Sequence, residues 1–145
     1  MTNFGVLVAA GAVIAGAPCF AQTVGPCPAG VGSAAVSKPT WVMFDLGSAA
    51  LRPEAKPVIA DTVAKAKAQQ AVDFCVIGQT DKLGDKALNE KLAAARARAV
   101  AAEMIRVGAP AEKVIIASNP EAFGNVNFGS MNASEKDRRV SILFK

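Results

Sequence analysis

The chain has 145 residues, 52% hydrophobic and 19% charged, a length and balance that suit one folded domain with a real core behind an apolar leader. It contains no histidine, which removes the commonest general base, most zinc sites and every Ser-His-Asp or Cys-His arrangement. Neither an enzyme nor a cofactor is therefore expected; a net charge of +4 is common at this length without any partner, and in an exported protein it suits anionic envelope polymers better than nucleic acid.

Residues 1–21 carry no charged side chain, and the apolar run 4–17 has the length of a signal-peptide core, short of the roughly 20 residues of a membrane-spanning helix. A signal peptide over 1–21 is expected, cleaved after Ala21, although its first residues include no Lys or Arg. Lipidation would need a small residue before the modified cysteine, whereas Pro18 precedes Cys19 and Pro26 precedes Cys27. Export is therefore expected. Cleavage leaves Cys27 and Cys75 in an oxidising compartment, where a disulfide is expected; a buried free thiol at Cys75 is the competing reading.

Residues 22–38 are rich in Gly, Ala, Pro and Ser without a period and read as a flexible tether, so the folded domain is expected over 39–145. Residues 40–45 have strand composition and are followed by the turn Leu46, Gly47, Ser48. A first helix is expected from 53 or 54 to 70, with Ile59, Val63 and Ala66 on one face and Pro57 tolerable in its first turn. The β-branched and aromatic run 72–81 reads as a second strand. A second helix is expected over 86–107, with Asp85 as its N-cap and Gly108 after its end. A third strand over 113–117, a long loop over 118–136 and a last strand over 138–144 complete the order β-α-β-α-β-loop-β. Alternating strands and helices predict an α+β fold, a sheet with helices packed on one face.

The second helix carries one anomaly: Leu92, Arg96, Val100 and Met104 recur every fourth residue, so Arg96 lies in line with three apolar side chains. An arginine there is costly unless paired. Asp81 ends the preceding strand and could pair with it in a structural salt bridge, or Arg96 could snorkel to water. The sharper reading is a receptor for a zwitterion, in which Asp81 takes an ammonium and Arg96 grips a carboxylate through its forked guanidinium. Asp81 with Asp85 fits a loop and a helix cap better than a glycosidase dyad.

Taken in order, Val42-Met43-Phe44-Asp45, Gly78-Gln79-Thr80-Asp81, Leu88-Asn89, Leu92, Arg96-Ala97, Val100 and Asp137-Arg138-Arg139-Val140 resemble the OmpA-like peptidoglycan-binding domain, the C-terminal module of OmpA, Pal and MotB proteins. The resemblance covers about residues 40–144. It implies a βαβαββ two-layer sandwich with a mixed sheet, which binds peptidoglycan non-covalently through the meso-diaminopimelate of its stem peptide. It also implies that Asp81 and Arg96 hold the amino and carboxylate groups at one end of that ligand. Thr80, Leu88 and Asn89 match positions lining the pocket, and Arg138 matches the first arginine of a signature near it. The implied setting is the periplasm, in contact with the cell wall and the outer membrane, with an envelope protein as a further partner.

Four departures stand beside the likeness. Gln79 replaces a frequent histidine or aromatic, Gly47 a polar side chain, and Asp137 the usual asparagine, while residues 118–124 lack the usual G-x-G-E. Gly47 and the altered loop support an alternative, a periplasmic scaffold or interaction protein that keeps the fold and has lost peptidoglycan binding.

Overall fold

The computed structural model describes residues 22–29, 31, 38–71, 73–79, 85–117 and 138–145. The signal-peptide segment with Cys19, the loop over 118–136, and Thr80 and Asp81 lie outside the described residues.

Strand β1 is Thr23–Val24, β2 is Thr40–Met43, α1 is Ala55–Ala68, β3 is Phe74–Gly78, α2 is Lys86–Arg106, β4 is Val114–Ala117 and β5 is Arg139–Phe144. The sheet order is β1-β4-β3-β5-β2. β3 runs parallel to β4 and antiparallel to β5, and β5 runs antiparallel to β2. The α+β fold and mixed sheet are as expected, and from β2 onward each anticipated strand and helix lies within a few residues of its expected span, whereas β1 was not anticipated.

β3 explains the centre of the sheet. All but Gly78 of Phe-Cys-Val-Ile-Gly is buried, because the strand has neighbours on both sides and cover on both faces. The period of two sorts its side chains. Phe74 and Val76, with Val114, Ile116, Val140, Ile142 and Phe144, join Ile59 and Val63 of α1 and Val100 and Met104 of α2 in the main core. Each such side chain contributes about 1.5–3 kcal/mol by leaving water. Cys75 and Ile77 point the other way and cluster with Ala117, Leu143 and Val31.

That second face corrects the tether reading. Gly/Ala/Pro-rich composition predicts no regular structure, yet Thr23 and Val24 pair in parallel with Ile115 and Ile116, and the Gly25 N–H donates to the Ile116 carbonyl at 3.1 Å. Cys27 and Cys75 are joined by a disulfide, with Cα atoms 5.6 Å apart, the pairing the sequence reading expected. Val31 is buried, and Lys145 Nζ donates to the Ala29 carbonyl at 2.9 Å. An apolar sheet face needed cover, and local composition carries no record of that need.

Both helices stop in the same way. Gly108, at φ +105°, donates to the Ile105 carbonyl, and Ala109 to that of Met104, the paired bonds of a Schellman ending. α1 repeats the pattern with Gln70 at φ +55°, through Gln70 to Lys67 and Ala71 to Ala66. At the start of α2, Asp85 caps the helix by accepting from the Leu88 N–H at 3.0 Å, as the sequence predicted.

Candidate functional site

Three chain segments meet at one end of the sheet, and Arg96 of α2 sits between them. The turn after β2 is the first. Ser48 N–H donates to the Asp45 carbonyl at 3.2 Å, and Gly47 takes φ +67° between them, the backbone a type II turn requires at its third position. Gly47 therefore serves the turn, and no side chain stands there to meet a ligand. Arg52 closes the loop from outside, donating from Nε at 2.9 Å and Nη2 at 2.5 Å to Asp45 Oδ1. Because Asp45 is well exposed, that ion pair stabilises the loop only weakly.

The second segment is the exit of β3. Gly78 lets α2 approach closely: a Cβ there would stand 2.7 Å from the carbonyl carbon of Ala93 and closer still to its oxygen. Gln79 follows, its N–H donating to the Arg139 carbonyl at 2.9 Å. The third segment is the start of β5, where the Arg138 carbonyl accepts from the Phe44 N–H at 2.9 Å. The entry to β5 is thus laced between the exits of β2 and β3.

Arg96 is 1% exposed. Its Nε donates to the Ser48 carbonyl at 2.8 Å, Nη2 to the Asp45 carbonyl at 3.0 Å and Nη1 to the Gln79 carbonyl at 3.5 Å. Its guanidinium lies 5.4 Å from the centre of the Phe44 ring. These contacts replace water around a cation whose burial would otherwise cost several kcal/mol, and they use three of the five N–H donors an arginine possesses. Arg96 is therefore deeply set and does not snorkel to water.

Of the other anticipated residues, Leu88 and Asn89 occupy the first turn of α2; Leu88 is exposed and Asn89 partly buried. Asn89 precedes Arg96 by seven positions, so it lies on the same face of the helix, about 10.5 Å along its axis. Arg138 lies at the same end of the sheet, and its Nε is buried with no hydrogen-bond partner among the described residues. Three groups escaped the sequence reading: the carbonyls of Asp45, Ser48 and Gln79, the Arg139 side chain, and Trp41. Carbonyls have no sequence signature. Arg139 donates from Nε to Gln79 Oε1 at 2.8 Å and stacks 4.5 Å from the Trp41 ring centre. The alternation of β5 hinted at this, since Arg139 must face away from Val140. Among the described residues no group of acids or cysteines could hold a metal ion, and no helix is long and apolar enough to cross a membrane.

A family model described as the OmpA family matches residues 43–141. The chain is similar to Outer membrane protein A of Serratia odorifera, 32% identical over 75 residues, which is 50% of this chain and 31% of that protein. It is also similar to Photosystem I P700 chlorophyll a apoprotein A2 of Gloeobacter violaceus, 29% identical over 129 residues, 83% of this chain and 14% of that protein. The chain thus spans less than a third of the length of these curated relatives. In structure it is similar to the peptidoglycan-associated lipoprotein from Burkholderia pseudomallei, with a TM-score of 0.58 at 22% identity over 72% of this chain and 89% of that one. That likeness establishes a shared fold.

Proposed function

The chain belongs to the OmpA family, and on that premise we propose that it binds peptidoglycan non-covalently through the meso-diaminopimelate of the stem peptide and catalyses no reaction. Asp81 would take the ligand's ammonium and Arg96 its carboxylate, with Thr80, Leu88 and Asn89 along the rim and Arg138 beside it. One end of an amino acid presents a cation and an anion close together, so an acid and an arginine give both affinity and orientation. The observation that carries this reading is the end of the sheet itself: Arg96 is rooted in three loop carbonyls, and the buried Arg138 Nε has no partner among the described residues. A buried donor without a partner costs about 1–3 kcal/mol, which an incoming carboxylate would recover. Support comes also from the fold shared with a protein whose name records its association with peptidoglycan. The setting that follows is the periplasm, against the cell wall and the outer membrane, beside an envelope protein.

The depth of Arg96 favours a second reading, a scaffold in which this arginine only braces the loops and the ligand has been lost. Co-sedimentation with purified peptidoglycan sacculi separates the two. Wild-type protein is expected to pellet, free meso-diaminopimelate to release it, and Asp81→Ala and Arg96→Lys to stay in solution while folded. A folded wild type that remains in the supernatant establishes the scaffold.

A further inference from the structure

We propose that Arg139 is a positioning residue for the diaminopimelate site, acting through Gln79, and that Trp41 reports its state; this rests on the peptidoglycan-binding reading above. Gln79 is held by three bonds from two arginines. Its N–H donates to the Arg139 carbonyl at 2.9 Å, its Oε1 accepts from Arg139 Nε at 2.8 Å, and its carbonyl accepts from Arg96 Nη1 at 3.5 Å. Arg96 reaches it from the helix side of the sheet, whereas Arg139 faces the side away from the helices. One residue therefore joins the two faces.

Arg139 is itself restrained. It is 9% exposed, with its guanidinium 4.5 Å over the Trp41 ring, so the stack limits the rotamers open to a long side chain. The Gln79 amide accepts from a cation in a shielded place, where such a bond is stronger than a neutral one. The Gln79 carbonyl is one of the three that hold the Arg96 guanidinium, so a shift of Gln79 turns the cation that would meet the ligand carboxylate. A small error in that orientation is enough to weaken a forked contact with a carboxylate. The chain of contacts Arg96, Gln79, Arg139, Trp41 links the cation of the binding site to a half-exposed indole.

The composition provides the readout. Trp41 is the one tryptophan of the chain and there is no tyrosine, so its emission reports this neighbourhood with no competing signal. The experiment titrates wild type, Gln79→Ala and Gln79→Glu with meso-diaminopimelate, following Trp41 emission, sacculus pelleting and melting temperature. Wild type is expected to change its emission on binding. Gln79→Ala is expected to bind roughly tenfold more weakly, with its melting temperature little changed and its emission response lost. Gln79→Glu keeps an acceptor for Arg139 and is expected to restore both. Unaltered affinity and emission response in Gln79→Ala would overturn the proposal, as would equal losses in both variants that follow the melting temperature. A wild type that neither pellets nor responds overturns this proposal together with the reading beneath it, whereas pelleting of every variant with the affinity of wild type overturns the positioning role alone.

Discussion

Arg96 Nη2 and the Asp45 carbonyl meet at 3.0 Å across 51 positions of sequence, and with the Nε bond to Ser48 this contact fastens α2 to the turn after β2. Arg96→Ala is expected to lower the unfolding free energy by roughly 2–4 kcal/mol, because it leaves loop carbonyls without donors and a void beside Phe44. Urea unfolding measures this. A loss below half a kcal/mol would show that the arginine braces nothing, and its burial would then have to be explained by ligand alone.

The disulfide closes a loop of 48 residues, for which the chain-entropy model gives about 4 kcal/mol of stabilisation. Cys27→Ser is expected to lose up to that amount and to free residues 22–29 from the second face of the sheet. Amide hydrogen exchange reads the second effect directly: the Gly25 N–H, now bonded to Ile116, should lose its protection in the variant. Protection equal to that of wild type would mean that the β1 pairing holds the segment without help.

Gln70 sits at φ +55°, a left-handed backbone that disfavours any side chain with a Cβ. Gln70→Gly is expected to raise stability by about 0.5–1 kcal/mol, since the Schellman ending of α1 would then carry the residue that suits it. The gain should appear in the denaturation midpoint with no change in slope. A decrease would show that the Gln70 side chain contributes more than its strain costs.

Glu103 on α2 is 7% exposed, and hydrogen bonds from Arg106 at 2.8 and 2.5 Å, aided by its charge and that of Lys56, hold its carboxyl below the usual range against the opposing effect of burial. A carboxylate whose folded pKa is depressed stabilises the fold above its unfolded value, near pH 4.3, and loses that contribution as pH falls through the folded value. Stability of the wild type should therefore fall below about pH 4.3 by more than that of Glu103→Gln. Parallel acid limbs for the two proteins would remove Glu103 from the account.

The elements were legible because they rest on local periodicity. Ile59, Val63 and Ala66 along α1, and Val100 and Met104 along α2, announce one buried face, and that face is the one that packs. Asp85 was legible for the same reason, since a cap acts within three residues. Arg96 stood out as a charge on an apolar stripe. Its partners did not, because backbone carbonyls of Asp45, Ser48 and Gln79 look like those of any other residue until the fold brings them together. Nothing at Gly78 announced a close approach either; only the packing brings Ala93 against it.

By itself, then, the sequence determined the elements, the buried stripe, the cysteine pair and the family, all of which depend on residue type and short-range spacing. The tertiary structure decided the rest: that residues 22–29 and Val31 cover the second face of the sheet, that Arg96 is rooted in loop carbonyls, and that Gln79 is clasped by two arginines from opposite sides. Those outcomes depend on which groups must be desolvated together. Desolvation is a property of the assembled fold, and no window of neighbouring residues contains it.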